Sequence, residues 1–427
     1  MRTSTRADVL SPSRLHKQIP IAVRPILDLV GFKQRVLYDE VSCRANLHLF
    51  RLRRPPINTM GCPVNTLTAT TAPPQVATQY PADKTHDVSL DALRLVATLM
   101  VILIHVSATG FAQLAPHWWG VNTYESLSRA SVPIFFMITG ALLLPRSHSI
   151  SSVLRRVWRM GFALLAWSLV YLAYNKYKVT GLILPDLSEL KHWLVAIVRW
   201  PVAGHLWYLY TLMAAYFFIP VLAGFFRSSP LRLQCLVLGV WLIAASIVPF
   251  AERAFGEARA YIDTRFFYIY PGYMLAGALL YHHFKMSLKG LYAGVVFYLL
   301  CSAGTAVLTW YYSKNAATNT ELFYEYFAPF VVAAAICLFC VVRYLAQLLL
   351  GRYPQTGGAM IFLGNLTFGI YLMHPLVIWE LHHNGLAWNF TNPWLAIPTV
   401  MAVVFIVCGV ITYIIRKTPV LRMIIPS

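Results

Sequence analysis

The stretch Asp91–Ala108, DALRLVATLMVILIHVSA, is apolar enough to be a membrane-spanning helix, yet it carries an acid, a guanidinium and an imidazole. Asp91, Arg94, Thr98, His105 and Thr109 follow one another at intervals of 3, 4, 7 and 4 residues. At about 100° per residue this spacing keeps them in one narrow stripe of the helix. An ionisable group at the bilayer centre costs at least about 2.5 kcal/mol on insertion scales, so a row of them has to look into protein or water. The stripe is therefore a candidate wall of an active site.

The rest of the chain has the same character. Its 427 residues are 58% hydrophobic and only 12% charged, against about 25% charged residues in soluble domains. The class is all-α and polytopic. Ten apolar runs approach the length needed to cross a bilayer, at 90–112, 127–145, 157–174, 205–226, 231–250, 266–282, 289–312, 325–348, 360–382 and 393–415. The run 266–282 is the shortest and opens with aromatics. Prolines fall inside or near several runs, where tertiary contacts can satisfy the backbone groups they free.

Charge sets the expected orientation. The connections 145–159, 227–232, 282–289, 343–352 and 416–422 hold 13 basic residues and no acid. The alternate set, 110–125, 175–204, 251–265, 313–325 and 383–392, holds eight basic and eight acidic residues. This bias predicts that both termini are cytoplasmic. It also accounts, together with a basic N-terminal segment, for the net charge of +19. Nucleic acid is not an expected partner, because no soluble module interleaves aromatics with basic residues.

Residues 1–59 carry eleven Lys or Arg against four acids, and residues 60–85 are rich in Thr, Pro, Ala and Gln. The segment 1–86 reads as a basic, disordered tail preceding a membrane domain over 87–420. No apolar h-region follows its basic start, so it is not a signal peptide. Two readings stand: a cytoplasmic tail touching anionic headgroups, or a true start downstream, for instance at Met60. The seven cysteines are scattered. Cys337 and Cys340 form a C-x-x-C inside an apolar run, which reads as packing and not as a metal or redox site. No metal-ligating constellation is expected.

Arg94 and His105 form an R-x10-H pair. Eleven residues at helical rise place them about 16 Å apart on one face, about half the hydrocarbon thickness. With the N-terminus inside, Arg94 lies at the cytoplasmic end and His105 in the outer half. This pair, followed by SVPIFFMITGALLL (131–144), LRRVWRMGF (154–162), GHLWYLYTLMAAYFFIPVL (204–222) and LGNLTFGIYLMHPLVIW (363–379), resembles the acyltransferase-3 family of integral membrane enzymes. Order and spacing agree over about 90–416. The HLWYLY segment looks most like the branch that includes the enterobacterial common antigen O-acetyltransferase. The chain departs from some relatives in having no SGNH-type esterase domain within the eleven residues after Arg416. That puts in doubt acceptors such as peptidoglycan, which the appended domain serves.

The resemblance implies transfer of an acyl group, commonly acetyl from acetyl-CoA, to a sugar hydroxyl, with Arg94 and His105 essential. It implies no bound cofactor, a multi-pass place in the bacterial inner membrane, and acyl-CoA, a glycan or lipid-linked sugar, and membrane lipids as partners. The chemistry of the residues agrees. Imidazole titrates near neutrality, which suits a general base for a hydroxyl attacking a thioester. Arg155, Arg156 and Arg159 cluster at the cytoplasmic mouth, and Arg156 with Arg159 matches the family's R-x-x-R. Guanidinium forks suit the phosphates of CoA, although a positive-inside anchor has the same composition. Arg94 either extends this cluster inward or pairs with Asp91 at the helix end.

Further along, His205 heads HLWYLY, and Gly364, Thr367, Tyr371 and His374 repeat the 3, 4, 3 spacing of a buried polar seam. Tyr371 and His374 are read as orienting the acceptor or His105, or as packing helices by hydrogen bonds. Arg129 and Glu380 are less specific. Trp118, Trp119, Trp207 and Trp379 read as interfacial belt anchors, and Pro133 and Gly140 as devices for a kink and close packing. A polar stripe could instead line the path of a polysaccharide exporter, but no internal repeat supports that alternative.

Overall fold

In hydrocarbon a backbone has to satisfy its own hydrogen bonds, so long apolar runs are forced into helices. The computed structural model of the protein describes residues 86–111, 117–255, 270–316 and 319–426, and the expected tail lies outside these apart from His86. In chain order the helices are α1 (Val88–Phe111), α2 (Trp118–Ser128), α3 (Ser131–Leu143), α4 (Ile150–Thr180), α5 (Leu187–Arg199), α6 (Trp207–Ser228), α7 (Leu231–Leu242), α8 (Val248–Phe255), α9 (Pro271–His283), α10 (Leu288–Ala316), α11 (Pro329–Arg352), α12 (Thr356–His383) and α13 (Pro393–Lys417). No strand occurs among the described residues.

Nine of the described helical rods are long and apolar enough to cross a membrane. They overlap nine of the expected runs, the second rod starting at Trp118 within the stretch 110–125 that was expected to be a connection. The remaining run, 266–282, is described from Tyr270 onward, where Pro271–His283 form α9. Buried from Pro271 to Leu279, α9 is a core element and not a lipid-facing one.

Local chemistry sets the helix ends. The Ser149 side chain accepts from the Ser152 amide at the start of α4, which ends on Gly181 at φ 72°. Pro271, Pro329 and Pro393 each open a helix, where a missing N–H costs nothing. The second rod is broken in two at Arg129–Ala130. Pro133 accounts for the break, because its ring excludes the helical position of the carbonyl four residues earlier. Pro249 has the same effect on the rod Leu231–Ala254, which passes through a π-helical turn at Ile243–Ile247.

The central helix is α1, packed against α2, α3, α11, α12 and α13. Its first half, with Leu93 and Ala97, joins one apolar cluster, and its second half, with Ile102 and Val106, joins another. Against this, α3 and α9 cross so closely that a Cβ on Gly140 would sit 1.9 Å from the Met274 carbonyl oxygen, and one on Gly277 2.1 Å from that of Met137. Gly140 thus has the packing role expected for it. The polar stripe rides on a helix packed against five others, so Asp91 and Thr98 are buried in protein, while Thr109 near the end of the helix is exposed.

Candidate active site

A cavity of about 480 Å³ runs beside α1 and is walled by α3, α4, α6 and α12. Arg94 and His105 both line it, as do Arg156, Arg159, His205, Thr367 and Tyr371. Residues from the R-x10-H pair, the basic segment, HLWYLY and the α12 seam are therefore brought to one space. The volume lies in the range of small-molecule sites.

The stripe divides on inspection. Asp91 is buried behind the cavity, where it accepts from Arg94 Nη1 at 2.6 Å and pairs with His86. Arg94 thus does both things proposed for it, holding Asp91 and facing the cavity. Thr98 bonds back to the Arg94 carbonyl at 2.8 Å, and Thr109 to that of Val106 at 2.7 Å, so neither hydroxyl is directed to the cavity. Asp91 has room because α12 carries Gly364 there: a Cβ on Gly364 would lie 2.7 Å from the Asp91 Cβ. Gly364→Ala is expected to cost about 1–3 kcal/mol through overpacking and to turn Asp91 from Arg94. Thermal unfolding in detergent together with the transfer rate measures both effects, and a neutral outcome in both would show that α1 and α12 separate without consequence.

Three imidazoles meet at the end of the cavity away from Arg94; His105 and His205 line it, and the buried His374 lies outside its lining, against the other two rings. His105 lies 4.7 Å from His374 and 6.2 Å from His205 between ring centroids, and His205 lies 5.2 Å from His374. Nδ1 of His105 is 2.8 Å from the Val101 carbonyl. A carbonyl only accepts, so Nδ1 carries the proton and Nε2 keeps its lone pair. His374 is held the same way, with Nδ1 donating to the Tyr371 carbonyl at 2.7 Å, and its buried Nε2 has no hydrogen-bond partner. His205 is buried in a short 3-10 turn, Gly204–Leu206, ahead of α6. The Tyr371 hydroxyl donates to the His205 carbonyl at 2.7 Å, so Tyr371 fixes that turn while its ring lines the cavity.

At the basic end, Arg156 and Arg159 line the cavity, whereas the exposed Arg155 is not part of its wall. Adjacent positions on α4 point about 100° apart, which separates Arg155 from Arg156. Arg156 Nη1 donates to the Ser152 carbonyl at 3.3 Å and to His148 Nδ1 at 3.4 Å. That acceptor exists because His148 Nε2–H is spent on the Leu143 carbonyl at 2.8 Å. Burial holds the His148 imidazole below its ordinary range, and the nearby Arg156, Arg227 and Arg146 add to the effect. His148 and Arg227 were not among the expected residues. Neither belongs to a recognisable spacing, so only the meeting of the 143–149 loop with α4 and α6 brings them in.

The aromatic anchors are partly reassigned. Trp118 is buried, with Nε1 donating to the Phe111 carbonyl at 3.2 Å, and Trp207 lines the cavity and stacks on Tyr326 at 5.7 Å. Both were expected in the interfacial belt, where only tertiary packing could have ruled them out. Trp119 is 40% exposed, in keeping with that role. Glu380, on α12, accepts from Tyr174 at 2.5 Å and pairs with Lys178 at 2.7 Å, tying the far ends of α4 and α12 together.

Sequence reasoning missed a buried charged pair beside the site. Glu125 and Arg129, one turn apart on the second rod, form an ion pair among side chains that are 1% and 16% exposed. Ser107 of α1 donates to Glu125 at 2.5 Å, and the Arg129 guanidinium lies over the Tyr324 ring at 4.4 Å. The i, i+4 spacing was the signal available, but it is as common on solvated helices as in cores.

The family model for an acyltransferase domain, that of the acyltransferase-3 family, matches residues 87–413. No curated protein and no solved structure gives a significant match. The match takes in every residue lining the cavity except Pro426, and it covers more than half of the chain. The protein belongs to the acyltransferase-3 family and is a multi-pass membrane acyltransferase.

Proposed function

We propose that this acyltransferase moves an acetyl group from acetyl-CoA to a hydroxyl of a surface polysaccharide or lipid-linked sugar. In this reading it works in a bacterial inner membrane with both termini in the cytoplasm. The observation that carries the proposal is the single cavity joining Arg156 and Arg159, at the basic end, to His105, whose Nε2 is left as a free acceptor. The donor's phosphates rest against the arginines and its thioester reaches inward past Arg94. His105 Nε2 takes the acceptor hydroxyl's proton as the oxygen attacks the thioester carbon. The C–S bond then breaks, and the thiolate leaves with the proton that His105 returns. His205, held by Tyr371, positions the acceptor, and His374, buried against the His105 ring, positions that ring. HLWYLY supports the polysaccharide branch of the family.

Mass spectrometry of surface glycans and lipid-linked sugars, with and without the gene, tests the reading. A mass difference of one acetyl group is expected, and its absence from both fractions would refute the acceptor class. Transfer by the purified protein in detergent, where there is no compartment to export into, would dispose of the exporter alternative. Arg156→Ala and Arg159→Ala should each raise the apparent constant for acetyl-CoA by about ten- to a hundredfold, because a hydrogen bond to a charged group contributes about 1.5–3 kcal/mol. Unchanged donor dependence in both variants would make these residues membrane anchors only.

A further inference from the structure

The segment following α13 turns back into the bundle. Thr418–Pro426 contains a short 3-10 turn, Leu421–Ile424, and packs against α4 and α13. Trp167, within the membrane-spanning part of α4, donates from Nε1 to the Ile424 carbonyl at 3.1 Å. Ile425 is 3% exposed and lies in the same apolar cluster as Trp167 and Cys408. Pro426 lines the cavity together with Met160 of α4 and Thr367 and Phe368 of α12. The other side of the segment is open and mostly apolar, with Val420 75% and Met423 62% exposed, and it also presents the charged Arg422.

This two-sidedness matters because α4 packs chiefly on α5, α6 and this segment. Between α4 and α12 the cavity wall therefore contains a stretch that is not helix. Irregular backbone is tolerated at membrane depth where protein buries it or where it borders a wet cavity. Here Ile425 is buried, Pro426 borders the cavity, and hydrocarbon accepts the exposed Val420, Leu421 and Met423, whereas the exposed Arg422 has to reach headgroups or water at the membrane surface.

We propose that Thr418–Pro426 is a re-entrant strap that closes the cavity between α4 and α12 and keeps hydrocarbon out of the path from Arg156 to His105. A donor lying along that path passes Pro426, so the strap also shapes the donor site. This second clause rests on the acyl-CoA reading above, whereas the first does not.

The test reads accessibility before activity. In nanodiscs, with Cys43, Cys62 and Cys235 replaced by serine, a nitroxide at Met160→Cys reports collisions with oxygen, which concentrates in hydrocarbon, and with a polar nickel chelate, which stays in water. In the full chain the label should meet the chelate more readily than oxygen. A chain ending at Lys417 lacks the strap, and its oxygen accessibility at 160 should rise severalfold. If that chain does not accumulate, Ile425→Asn, which puts an amide into the apolar cluster, should give the same rise. A label at 160 that already meets oxygen freely in the full chain, or an unchanged oxygen signal in the strapless or Ile425→Asn protein, would overturn the proposal. In the same preparations the KM for acetyl-CoA should rise severalfold. A rise in oxygen accessibility without any acetyl transfer by the full chain keeps the wall and sinks the donor reading. Transfer with unchanged accessibility does the reverse.

Discussion

His105→Gln is expected to insert and fold like the parent protein yet to transfer acyl groups about 10²- to 10⁴-fold more slowly, the usual worth of a positioned base. Nδ1–H is committed to the Val101 carbonyl at 2.8 Å, which leaves Nε2 as the atom able to accept a proton. A glutamine amide can still donate to a backbone carbonyl, so it preserves the packing role, but it does not take up a proton at neutral pH. Acetyl-CoA binding should survive, because the arginines at the other end of the cavity are untouched. Kinetics of the purified variant decide the matter: a near-parental kcat would make His105 a packing residue.

The second large effect falls on stability. Glu125→Leu is expected to destabilise the protein by about 3–5 kcal/mol, because it leaves the Arg129 charge buried and unpaired. The double substitution Glu125→Leu with Arg129→Met should recover most of that loss, since no charge is then stranded. The pair also reaches the site, because Ser107, two residues beyond His105 on α1, donates to Glu125. The single variant should therefore lose activity even in the fraction that folds. Denaturation in detergent of the two singles and the double measures the coupling. A double variant as unstable as the sum of its singles would contradict the argument.

How far the site was legible depends on which interactions build it. The cofacial placement of Arg94 and His105 follows from helical periodicity, and both line the cavity. The arginine cluster was legible as a cluster, but the separation of Arg156 and Arg159 from Arg155 depends on which face of α4 meets the cavity. Tyr371 and His374 could be seen as a polar seam. That Tyr371 fixes the His205 turn while His374 touches the His105 ring depends on how α12 lies beside α1 and α6. His148 and Pro426 had no periodic signal and were missed, and Glu125 had only an i, i+4 spacing to Arg129 that solvated helices share.

Those differences have one physical source. The sequence by itself determined the membrane class, the apolar runs that become helices and the stripe on α1. In hydrocarbon each backbone has to satisfy its own hydrogen bonds, so an apolar run of sufficient length specifies a helix without help from distant residues. Only the tertiary structure decided that three histidines from α1, α12 and the turn before α6 pack together, that α9 is buried in the core, and that the segment after α13 walls the cavity. Lateral packing in lipid lacks the hydrophobic drive that marks a soluble core. It depends on close approaches such as Gly364 against Asp91 and Gly140 against Met274, between residues far apart in the chain whose pairing leaves no period to read.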